Sequence, residues 1–75
     1  MKMKRNFTAI IEKEDNIYVA LSPELDIASQ GNSIEEAREN LKEAIELFFE
    51  SASTSEINER LHSDFFVTQL EVFVG

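Results

Sequence analysis

The sequence contains one long amphipathic helix, and this helix limits how the rest of the chain can be covered. Its start fits a capping box, "SIEE", with Ser33 at the N-cap and Glu36 three residues later. Apolar side chains then recur at helical spacing, at Ile34, Ala37, Leu41, Ala44, Ile45 and Phe48. The pattern predicts a helix that runs to about Ser51. One such helix can cover only one face of a sheet, so a second face needs another cover.

Three short strands are predicted before this helix. They occupy residues 5–13, 17–21 and 26–31, where apolar side chains alternate or turn residues bound the run. The turn between the first two contains Asp15, a residue type that tolerates the left-handed backbone of a tight hairpin. Pro23 ends the second strand, because proline donates no hydrogen bond to a strand ladder.

A fourth strand is predicted after the helix, over residues 64–74, a stretch rich in Phe and Val. A polar loop at 51–55 and a helical turn at 56–61 precede it. One face of this strand carries Phe66, Leu70, Val72 and Val74, and the other carries Phe65, Val67 and Phe73. Burial on both faces needs a second layer or a second chain. We therefore expect Phe65, Val67 and Phe73 to form the interface of a homodimer or higher oligomer, unless loop 51–63 folds over them.

The expected architecture is α+β in the order β-β-β-α-β, an antiparallel sheet with one long helix packed on one face. The chain has 75 residues, enough for a single domain over residues 1–75. Hydrophobic residues make up 43% of it, so it should fold rather than stay disordered. Its start has no apolar run of signal-peptide or transmembrane length, which predicts a cytoplasmic protein.

The charge balance is strongly acidic and favours a basic protein partner. Fifteen Asp and Glu face seven Lys and Arg, for a net charge of −8, and phosphate is repelled by such a surface. The basic cluster of Lys2, Lys4 and Arg5 is too short to support DNA binding, so no direct nucleic-acid binding is expected. The helix carries an acidic stripe, made of Glu35, Glu39, Glu43, Glu46 and Glu50. Opposite charge steers a partner toward such a stripe.

The residues that could carry chemistry do not assemble into a motif. Glu24 and Asp26 could hold a cation in the Pro-Glu-Leu-Asp loop, but no third anchor has recognisable spacing. His62 is the only histidine and has no nucleophile motif beside it. Gly31 and Gly75 cannot build a phosphate-binding loop, and the absence of cysteine excludes disulfides and Cys-ligated zinc. We expect no catalytic residue, no metal and no cofactor.

Residues 18–50, "YVALSPELDIASQGNSIEEARENLKEAIELFFE", closely resemble the N-terminal domain of HicB-family antitoxins. The most specific part is the pattern "SQG-x-[ST]-x-EEA" followed by "N-x-KEAI-x-L". The matching residues are Ser29, Gln30, Gly31, Ser33, Glu35, Glu36 and Ala37, then Asn40, Lys42, Glu43, Ala44, Ile45 and Leu47. The hairpin before this region and the strand after it also fit, so the resemblance covers nearly the whole chain.

The resemblance implies a truncated, partial ribonuclease H-like fold that lacks catalytic acids. It also implies an antitoxin of a type II toxin–antitoxin system, which neutralises a HicA-type toxin, a small basic ribonuclease that cuts mRNA. Family members cover the toxin's catalytic histidine, and many carry a further DNA-binding segment. Because the sequence ends directly after its last predicted strand, we expect a short form that does not bind the promoter by itself.

For contact with such a partner we expect three groups of residues. They are Pro23, Glu24 and Asp26 in the loop, Ser29 and Gln30 in the third strand, and Glu35, Glu39 and Glu43 on the helix. Masking of the toxin would be both steric and electrostatic. Two alternatives stay open: an orphan homo-oligomeric regulatory or structural domain without a toxin, and a residual metal-dependent nuclease that uses Glu24 or Asp26.

Overall fold

A computed structural model describes residues 4–75, so Lys2 of the basic cluster lies outside the described residues. The elements are β1 (Ile10–Glu14), β2 (Ile17–Ser22), β3 (Ile27–Gly31), α1 (Ile34–Ser51) and α2 (Thr54–Arg60). The strands form one antiparallel sheet in the order β1-β2-β3, and α1 packs across one of its faces. The α+β class and the single long helix on an antiparallel sheet are confirmed. The helical turn predicted at 56–61 is part of α2.

The hairpin of β1 and β2 shows why β1 is shorter than predicted. Its two-residue turn starts with Asp15, whose φ of 54° is the left-handed conformation expected of it. At the other end Ile10 pairs with Leu21, and β2 stops at Ser22. Residues 4–9 therefore have no neighbouring part of β2 to pair with, and they form no strand although their side chains alternate.

Helix α1 begins and ends where its sequence predicts. The Ser33 hydroxyl accepts a hydrogen bond from the Glu36 backbone N–H at 3.0 Å, while the Glu36 carboxylate accepts one from Asn32 N–H at 3.2 Å. Both bonds satisfy backbone N–H groups that a helix start or the turn before it leaves free. The helix closes after Ser51, where Ala52 N–H donates to the Phe48 carbonyl at 2.8 Å.

The core lies between α1 and the β2–β3 half of the sheet. Its buried members are Ala20, Leu25, Ala37, Leu41 and Ile45. The helix packs mainly against β3 and β2 and touches β1 little. The helix therefore leaves space beside β1, the strand at one edge of the sheet.

Gly31 at the end of β3 lets the helix start approach the sheet. A Cβ at this position would lie 2.5 Å from the Ala37 nitrogen and 2.8 Å from the Glu36 carbonyl carbon. Both are backbone atoms of α1, so a side chain here can be accommodated only if the helix shifts.

We predict that Gly31→Ala destabilises the protein by about 1–3 kcal/mol, because an added methyl group overpacks the contact with α1. The measurement is urea unfolding followed by circular dichroism. The matched control is Gln30→Ala, an exposed neighbour in the same strand, for which a change within about 0.5 kcal/mol is expected. If the two variants were equally stable, the close contact between α1 and Gly31 would not require a glycine.

The predicted fourth strand is not formed, so the order β-β-β-α-β is wrong for its last element. Residues 61–75 contain neither helix nor strand, and the apolar side chains of residues 64–74, which we call the tail, are exposed, with Phe66 at 88%. The radius of gyration is 14.5 Å, against about 11 Å for a compact chain of this length. A strand exists only through ladder bonds to a neighbour, and the single chain provides no neighbour there.

The alternative that loop 51–63 covers the tail is also wrong. This segment forms α2, while Phe65, Val67 and Phe73 all remain exposed. The expected oligomer interface is therefore apolar and uncovered in the single chain.

Candidate functional site

The loop between β2 and β3, residues 23–26, joins three parts of the chain through Glu24. The Glu24 carboxylate accepts hydrogen bonds from the Thr8 backbone N–H at 2.8 Å and from the Ser22 hydroxyl at 3.3 Å. The Glu24 carbonyl accepts a third from the His62 backbone N–H at 2.7 Å. Glu24 thus holds the segment before β1, the end of β2 and the start of the tail together.

These contacts also affect the pKa of the Glu24 carboxyl group. Partial burial by itself would raise the pKa of the carboxyl, but the hydrogen bonds from Thr8 and Ser22 favour the charged form and lower the pKa below its ordinary value. The ionised carboxylate is therefore bonded more strongly in the folded chain than in the unfolded one. A group with a lowered folded pKa contributes stability above its unfolded pKa, and that contribution is lost as pH falls.

We predict that Glu24→Gln reduces the loss of stability as pH falls below the ordinary pKa of 4.5, because the titrating carboxyl is gone. At neutral pH the variant should be less stable than the wild type, since an amide accepts more weakly than a carboxylate. Urea unfolding at pH 7 and in mild acid measures both effects. Glu12→Gln is the control, since it removes an exposed carboxyl from β1. An unchanged acid response of Glu24→Gln would contradict the assignment.

Helix α2 is fixed to the same loop by Arg60. Its guanidinium donates to the Leu25 carbonyl at 3.0 and 3.1 Å and to the Asp26 carbonyl at 3.0 Å, and lies 5.5 Å from the centre of the Phe48 ring. Asp26 has a φ of 54°, which is the left-handed backbone conformation. Backbone carbonyls oriented toward a cation and a stacked aromatic ring stabilise this arrangement.

The residues predicted for partner contact fall into two places rather than one. Pro23, Glu24 and Asp26 lie near Phe48, toward the C-terminal end of α1, because Arg60 links this loop to that ring. Glu35 lies in the first turn of α1, about 20 Å from Phe48 at 1.5 Å per helical residue. The loop and the first helical acids are therefore not parts of one small site.

The predicted contact residues in the loop and in β3 differ in how accessible they are to a partner. Glu24 is half-buried and occupied by the hydrogen bonds described above, whereas Asp26 is exposed. Ser29 pairs with the buried Ala20 and shares its helix-facing side of the sheet. Gln30 is exposed, and its carbonyl accepts a hydrogen bond from the Asn40 side chain at 2.8 Å. Asp26 and Gln30 are thus the more accessible members of the predicted set.

The acidic stripe of α1 forms a continuous charged surface along the helix. All five members, Glu35, Glu39, Glu43, Glu46 and Glu50, are exposed, on the side away from the buried Ala37, Leu41 and Ile45. Only a weak contact of 3.7 Å between Arg38 and its neighbour Glu39 relieves it, and both side chains are largely exposed. The stripe can therefore attract a cationic surface without first breaking a strong internal pair.

An apolar side chain adjoins this stripe. Leu47 is 61% exposed and lines a shallow concavity of about 260 Å³ together with Glu43, Glu46 and Glu50. Sequence reasoning did not select Leu47 as a contact residue. Its position in the sequence indicated this exposure, because Leu47 does not lie on the helix face that Leu41 and Ile45 share.

No carboxylate cluster for a metal is found between residues 4 and 75, where no three His, Cys, Asp or Glu side chains converge. The residual-nuclease alternative therefore gains no support from the loop that contains Glu24 and Asp26. Neither described helix has both the length and the apolar character needed to cross a bilayer.

The fold and these surfaces define a small α+β domain with an acidic helix on one side of a three-stranded sheet. The chain belongs to the UPF0150 family. It is 48% identical to a UPF0150 protein of Helicobacter pylori over 50 residues, which are 65% of this chain and 69% of the relative. It is 44% identical over 59 residues to one of Thermotoga maritima, with 75% and 77% covered. For one of Synechocystis the identity is 50% over 48 residues, 61% of each chain.

No family model matches the chain, and no solved structure matches it. The names of the three relatives state the family without an activity, a ligand or a partner. The function therefore has to be argued from the surfaces of the domain and from its resemblance to HicB-family antitoxins.

Proposed function

We propose that this chain is a non-enzymatic, antitoxin-like binding module that neutralises a small basic ribonuclease of the HicA type in the cytoplasm. The observation that carries the proposal is the exposed acidic stripe of α1 with Leu47 beside it. The resemblance of residues 18–50 to HicB-family antitoxins supports the same function.

The charge of the stripe suits a partner that binds RNA. A ribonuclease must present Lys and Arg to the phosphates of its substrate, so its active-site surface is basic. A row of carboxylates competes for that surface, both by attraction and by occupying the space that RNA would take. Like-charged neighbours four residues apart destabilise an isolated helix by about 0.2–0.5 kcal/mol per pair, and a basic partner removes this cost.

The apolar side chain gives the surface an anchor as well as a charge. Interfaces obtain most of their affinity from a few buried apolar or aromatic side chains near the centre, while charged rims mainly set the association rate. Leu47 lies next to the carboxylates and is mostly exposed, so its burial against a partner would add affinity. The exposed Asp26 lies toward the same C-terminal end of α1.

The finer fold assignment, a truncated ribonuclease H-like sheet, is part of the same proposal. It is supported by the order of three antiparallel strands followed by a helix on one face. It also requires the tail to become a fourth strand.

The direct test is co-expression with any short basic reading frame that lies beside the gene, followed by co-purification and a growth assay. We expect the neighbour to arrest growth alone, and this chain to restore growth and to co-purify with it. A neighbour that is harmless, or that does not bind, would overturn the proposal and favour a homo-oligomeric regulatory domain without a toxin.

A charge-reversal variant tests the role of the stripe. We predict that Glu35→Lys, Glu39→Lys and Glu43→Lys together lower the association rate with the toxin by about 10-fold or more at low salt and reduce its salt dependence. Stopped-flow or surface-binding kinetics at several salt concentrations measure this.

The matched control for that variant reverses three other exposed acids, Glu12, Glu14 and Glu59, and so changes the net charge equally. We expect a smaller decrease in rate from this control, because its charges lie on β1 and α2. Equal effects of the two triple variants would show that only net charge matters, and would contradict a specific role for the stripe.

A further inference from the structure

An open groove lies beside β1, between residues 4–9 and helix α1, and encloses about 1010 Å³. We call it the β1 groove. Its floor is apolar and consists of Phe7, Leu41, Ile45 and Phe49, with the two phenyl rings 5.6 Å apart. The groove exists because α1 packs on β3 and β2 and barely reaches β1.

The rim of the β1 groove is basic, in contrast to the rest of the chain. Four of the seven Lys and Arg residues of the protein line it, namely Lys4, Arg5, Arg38 and Lys42, together with the two acids Glu46 and Glu50. A groove with an apolar floor and a net positive rim suits an apolar segment that carries a few carboxylates.

The tail, residues 64–74, has these properties. In an extended conformation its even-numbered residues, Asp64, Phe66, Thr68, Leu70, Val72 and Val74, share one face, and from Phe66 onward this face is apolar except for Thr68. The other face includes the polar Gln69 and Glu71. The tail contains two acids, Asp64 and Glu71, and no basic residue. At about 3.3 Å per residue it spans about 36 Å, enough to run the length of the groove beside α1.

We propose that the tail of one copy fills the β1 groove of a second copy, and that the exchange is reciprocal. The occupant of the groove is thus a second copy of this chain, with the even-numbered tail face on Phe7, Leu41, Ile45 and Phe49. Reciprocal exchange closes the assembly at two chains related by a two-fold axis.

The path of the tail favours exchange between copies over closure within one chain. The chain is anchored just before the tail, where Leu61 packs on the core and His62 N–H donates to the Glu24 carbonyl. Four residues after that anchor Phe66 is already 88% exposed, so the tail leaves its own domain at once. Among residues 4–75, seven of the ten large exposed hydrophobic side chains belong to the tail: Phe65, Phe66, Val67, Leu70, Val72, Phe73 and Val74. A soluble chain does not leave so many apolar groups uncovered.

Exchange also accounts for residues 4–9, which alternate as a strand does without forming one. They lie along the β1 groove but have no partner strand, because β2 ends at Ser22. An arriving tail offers them a ladder partner. The tail and residues 4–9 then gain the strand conformation that their sequences predict.

The oligomeric state of the full chain is the first test, measured by light scattering at tens of micromolar. We expect the wild type to be a dimer. Leu70→Asp puts a charge on the groove-facing side and should weaken the dimer on the order of 100-fold, so that monomers appear. The matched control Gln69→Asp adds the same charge one residue earlier on the other face and should remain a dimer. A monomeric wild type, or equal behaviour of the two variants, would overturn the proposal.

Cross-linking then decides which copy fills the groove, using a chain that has no native cysteine. One population carries Asn6→Cys at the groove and a size tag, another carries Val67→Cys in the tail, and both are mixed and treated with a short bismaleimide. We expect cross-links between the two populations. Replacing Asn6→Cys by Glu39→Cys, on the acidic stripe, should abolish them.

The other outcomes of the cross-linking experiment exclude the proposal. A cross-link only within a chain that carries both cysteines would show that the tail closes on its own groove. No cross-link above the Glu39→Cys control, in either format, would show that the tail does not enter the groove at all.

Discussion

The hydrogen bonds of Glu24 determine how the rest of the chain is arranged. Its carboxylate holds Thr8 and Ser22, and its carbonyl holds His62, so the entry to β1, the end of β2 and the start of the tail meet at one residue. Leu25, the next residue, is fully buried in the core, and its carbonyl accepts a hydrogen bond from Arg60 of α2. Loops seldom carry buried anchors of this kind, and this one holds the chain at His62, just before the tail.

The sheet that results is unfinished on one side. Helix α1 covers β2 and β3, β1 has a free edge with a groove beside it, and the apolar tail lies uncovered outside the domain. Free strand edges and exposed apolar segments promote association between chains, so proteins usually cover or block them. Exchange of tails between two copies would cover the free edge of β1 and the even-numbered face of the tail. It would also leave Glu35, Glu39 and Glu43 of the acidic stripe free, because only Glu46 and Glu50 of the stripe line the groove.

The sequence predicted the local features well, since they depend on neighbouring residues. Ser33 and Ser51 bound α1, Asp15 takes the left-handed turn conformation, and Pro23 follows the end of β2, all as expected. The prediction was wrong for residues 64–74, because strand propensity does not supply a partner strand. The predicted contact residues are spread along the domain, because the length of α1 separates the loop acids from Glu35. The hydrogen bonds to the Glu24 carboxylate and the exposure of Leu47 depend on tertiary contacts, which the spacing of residues in the sequence does not reveal.

The central claim is that the tail becomes a strand only when a second copy is present. Amide hydrogen exchange of the full-length chain, before and after strong dilution, tests it most directly, because ladder hydrogen bonds slow exchange. The account predicts slow exchange in residues 64–74 and 4–9 of the concentrated protein, and fast exchange in both segments after dilution, while α1 stays protected. Protection of the tail that does not change with concentration, or its absence at every concentration, would contradict the account.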